Sequence, residues 1–124
     1  MRFLVVDDSV TMRRILLNTL QSIGFADVVE ACDGKEALER FSAGIGFIIT
    51  DWNMPVMGGI EFVRALRARP DGQTVPILMV TTRSSREDIV TAVEAGVNNY
   101  VLKPFTAQVL KEKIDLLLQD AVAA

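Results

Sequence analysis

Short apolar runs alternate along this chain with segments of helical periodicity. Residues 3–6 are apolar throughout and predict a buried strand. Met12, Ile15, Leu16, Thr19, Leu20 and Ile23 then recur at helical spacing, in a helix closed by Gly24. A second strand is predicted at 28–31, followed by an Asp33-Gly34 turn and a helix through Ala37, Leu38 and Phe41 that ends near Gly44. The third apolar run is 47–50. A loop over 53–59, bearing Pro and Gly, leads into a helix with Ile60, Val63, Leu66 and Arg67. Residues 70–76 read as loop and 77–80 as the fourth strand. Ser84-x-x-Glu87 reads as a capping box opening a helix with Ile89, Ala92 and Val93, ended by Gly96. Residues 100–102 give the fifth strand, and Thr106 starts a last helix with Val109, Leu110, Ile114, Leu117 and Leu118.

Five β-α units in strict alternation predict a doubly wound parallel sheet, with right-handed crossovers and helices on both faces. The expected fold is flavodoxin-like, a five-stranded sheet of order 2-1-3-4-5 with five helices, in a single domain over 1–124. The first, third and fourth runs are nearly all apolar, as strands covered on both faces should be. No linker or low-complexity segment interrupts the pattern, and no effector domain is expected after the fifth helix.

Composition removes several function classes. Half the residues are hydrophobic and 23% charged, the profile of a globular domain with a core, and the net charge of −3 argues against a nucleic-acid surface. There is no histidine, which excludes His acid/base catalysis, His metal sites and a phosphohistidine carrier. One cysteine, Cys32, leaves no internal disulfide and no Cys cluster; it reads as a small semi-buried residue at a strand end. No apolar run approaches the ~18–20 residues that span a bilayer, and the opening apolar stretch is too short for a signal peptide. A reducing, cytoplasmic compartment is expected.

In open α/β sheets, chemistry sits beyond the carboxyl ends of the strands. Asp7 and Asp8 follow the first strand, Asp51 the third, Thr81 and Thr82 the fourth, and Lys103 and Pro104 the fifth. The end of the second strand, 30–33, carries no comparable signature. Each residue has a plain alternative: Asp8 or Ser9 as a helix cap, Asp51 as a turn opener, Thr81 as a strand end, Lys103 as a solvated lysine. Together they fit those roles poorly. Neighbouring strands lie about 4.8 Å apart, and two carboxylates about 5 Å apart repel by roughly 3 kcal/mol at an effective dielectric near 20. Three carboxylates on one rim therefore need protonation or a cation, and a hard, oxygen-preferring ion such as Mg²⁺ suits them. A carboxylate, a divalent ion, an ammonium and a hydroxyl around one point make a phosphoryl-transfer constellation.

The acid pair Asp7-Asp8, the Asp51-Trp52-Asn53-Met54-Pro55 turn, Thr81 and Lys103-Pro104-Phe105 together resemble the receiver domains of two-component response regulators, over the whole chain and in order. Thr-Met-Arg-Arg at 11–14 and the stretch 99–106 look most similar to stand-alone chemotaxis receivers. The resemblance implies that Asp51 accepts a phosphoryl group from the phosphohistidine of a sensor histidine kinase. It implies Mg²⁺ held by Asp8 directly, Asp7 largely through water, Asp51, and the backbone carbonyl of Asn53. Lys103 would contact the phosphoryl oxygens, with the Lys103-Pro104 bond cis. Thr81 and Tyr100 would form the switch that reshapes the face of helix four, strand five and helix five. Asn53, Thr82 and Arg83 would tune rates, with the Arg83 cation at the mouth of the site. A flagellar motor switch protein or a phosphatase would be a partner, nucleic acid and membrane would not, and the chain would act as a monomeric switch rather than a turnover enzyme. Ser9-Val10, Thr82 and Arg83 depart from the chemotaxis pattern of Phe-Ser, a small residue and Glu, which bears on lifetime and phosphatase fit.

Rival readings differ in class. A haloacid-dehalogenase-like phosphatase also uses an Asp nucleophile and Mg²⁺, but it wants Asp-x-Asp where this chain has Asp7-Asp8-Ser9. A flavodoxin-like redox carrier would need a phosphate loop where the carboxylates stand. A pseudo-receiver would lack a member of the active set. Within the receiver class, a relay to another output and a phosphate sink stand beside a chemotaxis regulator.

Overall fold

A computed structural model describes the backbone of residues 1–123 and the side chains through 119. Strands β1 (Arg2–Val6), β2 (Val28–Ala31), β3 (Ile45–Thr50), β4 (Ile77–Thr81) and β5 (Asn99–Leu102) alternate with helices α1 (Val10–Ser22), α2 (Gly34–Arg40), α3 (Gly59–Arg67), α4 (Arg86–Ala95) and α5 (Ala107–Ala123). All pairings are parallel and the strand order is 2-1-3-4-5, as expected.

Side-chain alternation divides each central strand between two cores. Leu4, Val6, Ile48, Ile77 and Met79 face the layer of α2, α3 and α4. Phe3, Val5, Phe47, Ile49, Leu78 and Val80 face α1 and α5. Burial on both faces explains why these runs show no polar alternation.

The register brings the site together. Val6 pairs with Thr50, so β1 and β3 end level, and the residues that follow, Asp7 and Asp51, emerge side by side. The Asp51 N–H donates to the Val6 carbonyl at 2.9 Å, and the Lys103 N–H to the Thr81 carbonyl at 2.9 Å. Gly59 starts α3 against the loop that follows β3: a Cβ there would run into the Asp51 carbonyl oxygen, so only glycine lets the helix approach this closely. In the intervening turn Val56 takes a φ of 68°, a left-handed conformation that a β-branched residue pays for in strain.

Several expectations of detail are corrected. The cap of α4 is Ser85, whose side chain accepts from the Asp88 N–H, so the Ser84-x-x-Glu87 frame is one residue early. Two adjacent serines followed by two adjacent acids make both frames readable, and the path of the chain leaving β4 selects the later one. Helix α2 stops at Arg40 because Phe41 turns extended and buries its ring. Ile15 is 45% exposed: α1 packs through Leu16 and Leu20, and Ile15 lies about 100° round the helix from Leu16. In α4, Ala92 and Ala95 are buried, whereas Ile89 and Val93 are 37% and 58% exposed. Its small residues sit on the core, and its larger apolar residues face outward.

Candidate functional site

Asp7 is almost wholly buried. Its Oδ1 accepts from the Ser9 N–H at 2.9 Å and its Oδ2 from the Lys103 ammonium at 3.2 Å. The Asp51 Oδ2 accepts from the same ammonium at 3.0 Å, while its Oδ1 accepts from the Trp52 N–H at 2.6 Å. Asp8 is exposed, and its carboxylate accepts no protein hydrogen bond among the described residues. Carboxylate oxygens of Asp7, Asp8 and Asp51 lie within 4.8 Å of one another. The long Lys103 stem thus crosses the rim, as the strand order requires, and its ammonium sits between two of the three acids.

The electrostatics show the strain of this crowding. Burial holds the Asp7 carboxyl above its ordinary value, with Asp51 adding to it and the Ser9 N–H and Lys103 working against it. For Lys103, burial alone would lower the ammonium, but the hydrogen bond and charge of Asp51, joined by Asp7, leave it raised. One lysine offsets part of three carboxylates. The donor set, all oxygen and one member free of protein partners, fits a hard divalent cation. Asp8 is the carboxylate left open to such an ion, with Asp7 and Asp51 beside it and the Asn53 backbone carbonyl as a further candidate.

The remaining residues lie around this centre. Thr81 is buried, and its Oγ1 accepts from the Arg83 N–H at 3.3 Å. Thr82 is exposed. Tyr100 is half-buried, its hydroxyl is enclosed without a hydrogen-bond partner, and burial, helped by Asp88 and opposed by Arg83, pushes its pKa up to about 12. The Lys103-Pro104 bond is cis. Cys32 is half-buried beside Asp33, and burial raises its thiol, in keeping with an unreactive residue.

Arg83 has more partners than its sequence reading supplied. Its guanidinium lies over the Trp52 ring at 4.8 Å, donates to Asn53 Oδ1 at 3.2 Å, and pairs with Asp88 of α4 at 3.4 Å. The cation is fastened across the mouth rather than left free to hold a ligand. Asp88 was missed as a partner; its only signal was the capping position, which hides a second use. Arg13 and Glu30 were also missed: Arg13 Nη1 donates to the Asp7 carbonyl at 2.6 Å and its Nε to Glu30 at 3.2 Å. Nothing in their sequence spacing predicts that contact.

An open α/β sheet with an acidic triad, a bridging lysine and a buried threonine at its switch point defines a domain built to hold charge at one rim. The chain belongs to the response regulator receiver domain family, whose model matches residues 3–115. It is 51% identical over 120 residues to chemotaxis protein CheY1 of Helicobacter pylori, covering 95% of this chain and 97% of that one. It is likewise 51% identical over 120 residues to chemotaxis protein CheY of Pseudomonas aeruginosa, covering 96% and 97%. Its structure matches that of Vibrio cholerae chemotaxis protein CheY4 with a TM-score of 0.87 at 38% identity, over 94% of this chain and 97% of that one. This membership sets aside the phosphatase and redox-carrier readings. No helix among the described residues is long and apolar enough to cross a membrane.

Proposed function

We propose that this response regulator acts in chemotaxis, as a cytoplasmic, monomeric switch phosphorylated on Asp51 by a sensor histidine kinase. The observation that carries this reading is the Lys103 ammonium bonded to Asp51 at 3.0 Å within a cluster of three carboxylates. Its relatives are named chemotaxis proteins, and the family resemblance makes a flagellar motor switch protein or a phosphatase the partner. A phosphate sink uses the same chemistry without the output.

An Asp51 carboxylate oxygen attacks phosphorus, the phosphorus–nitrogen bond of the donor phosphoimidazole breaks, and its electron pair returns to the imidazole nitrogen. Bound Mg²⁺ supplies positive charge beside the transferring group. Lys103, already at the acceptor oxygen, stays with the phosphoryl oxygens and stabilises their charge. The Thr81 hydroxyl donates to one of them. In water, the family likeness implies, the acyl phosphate is lost by hydrolysis on the protein itself. Incubation with acetyl phosphate and Mg²⁺ should give a single phosphoryl adduct in the intact mass; no adduct, with the fold intact, would overturn the reading.

Phosphorylation adds roughly one negative charge and strong acceptors at a fixed point. Thr81, whose hydroxyl proton is not committed to the Arg83 N–H, swings toward them to donate, and that swing frees space beside β5. The Tyr100 ring can occupy it, since its enclosed hydroxyl has no bond to lose. Val90 of α4, Leu102 of β5 and Leu116 of α5, exposed by 46%, 45% and 45%, make this the docking face. With Mg²⁺ and beryllofluoride as the phosphoryl mimic, the Tyr100 ring NMR signals should shift. Tighter partner binding with those signals unmoved would place the switch elsewhere.

Arg83, stacked on Trp52 and bonded to Asn53, covers one approach of water to the acceptor. Arg83→Glu should speed autodephosphorylation at saturating Mg²⁺ by about threefold or more, a barrier change of roughly 0.7 kcal/mol. An unchanged rate would leave Arg83 as a loop fastener only.

A further inference from the structure

Beyond Val6 the chain leaves the β1 ladder, and the carbonyl of Asp7 has no strand to pair with. Its partner is the Arg13 guanidinium, at 2.6 Å from Nη1. Arg13 stands in the second turn of α1, and helical side chains lean toward the helix N-terminus, so it reaches back over the turn that carries the acids. Only 15% of its side chain is exposed. Glu30 of β2 takes its Nε at 3.2 Å, and the carbonyl of Glu30 accepts in turn from Arg40 of α2 at 2.7 Å. The guanidinium is therefore held from two sides, by Glu30 of β2 and by the Asp7 carbonyl just beyond β1.

The peptide that Arg13 grips joins Asp7 to Asp8. Its plane sets the direction in which the Asp8 side chain leaves the backbone, and Asp8 itself has no protein partner to fix it. Asp7 is held by Ser9 and Lys103, whereas the free carboxylate depends on the peptide before it. Arg13 bonds a carbonyl and spends no carboxylate lone pair, so the acids keep their oxygens for a cation.

We propose that Arg13 is a positioning residue for the divalent cation, aiming Asp8 by clamping the Asp7-Asp8 peptide, with Glu30 holding Arg13 in place. This rests on the reading of the acid cluster as a Mg²⁺ site. Loss of an outer partner of a metal ligand costs about tenfold or more in affinity. Charge alone would predict the opposite, because removing a cation from beside the site should favour Mg²⁺.

The test is calorimetric titration of the full chain with MgCl₂, paired with urea unfolding in the absence and presence of Mg²⁺. Arg13→Met should weaken Mg²⁺ about tenfold and shrink the stabilisation that Mg²⁺ confers. Arg13→Lys, which can still donate one bond, should recover part of that loss, and Glu30→Ala, which leaves the guanidinium without its Nε partner, should weaken Mg²⁺ in the same direction by a smaller factor. A purely structural Arg13 would lower stability equally with and without Mg²⁺ and leave the affinity unchanged, which would overturn the proposal, as would tighter binding in Arg13→Met. Wild type that binds no Mg²⁺ would overturn the metal reading itself, and Arg13 positioning with it.

Discussion

Asp51→Asn should take up no phosphoryl label from acetyl phosphate and Mg²⁺ under conditions that label the wild type fully. Asparagine keeps the shape and can still accept the Trp52 N–H, but its amide is neutral and not nucleophilic at neutral pH. The fold should survive, since Lys103 retains Asp7 at 3.2 Å and one of three crowded carboxylates is gone. The informative comparison is Asp8, the exposed acid of the same cluster: with Asp51 neutralised it is the remaining accessible carboxylate. Peptide mapping that finds wild-type levels of label on Asp8 or elsewhere would refute Asp51 as the acceptor.

Asp8→Ala should weaken Mg²⁺ far more than removal of Asp7. Asp7 is already committed to Ser9 and Lys103, whereas Asp8 is exposed and free of protein partners. A unit negative charge about 4 Å from a dication contributes about 2 kcal/mol even in a water-like dielectric, roughly thirtyfold in affinity. Trp52, next to Asp51, provides the fluorescence signal for the titration. Equal affinity in wild type and Asp8→Ala would remove Asp8 from the ligand set. The buried acid should show itself in stability instead. Asp7 binds its proton more tightly in the folded chain, so its contribution is full below its ordinary value of 3.8 and is lost as pH rises through the raised value. Without metal at neutral pH, Asp7→Asn should therefore melt above wild type, and the difference should fade as the pH drops below that range.

Much of the architecture was legible because it rests on local periodicity. Strands buried on both faces are short apolar runs, helices repeat at three to four residues, and the alternation of the two forces parallel strands. Asp7, Asp8, Asp51, Thr81 and Lys103 could be picked out because each stands at or just past the carboxyl end of a strand, where such sheets carry their chemistry. Which helical residues face the core was less legible. Ile15 and Val93 satisfy an apolar period yet lie outside the packed stripe, since periodicity fixes spacing along a helix and not which side meets the sheet.

The sequence by itself determined the alternating elements, the parallel sheet and the identity of the rim residues, all of which follow from side-chain chemistry read over a few neighbouring positions. The tertiary structure decided the rest: the Val6 and Thr50 register that sets Asp7 beside Asp51, the single ammonium shared between them, the fastening of Arg83 to Trp52, Asn53 and Asp88, and the reach of Arg13 back to the Asp7 carbonyl. Each of these joins groups on different elements. Their distances are set by how the layers pack, and no local pattern in the chain encodes them.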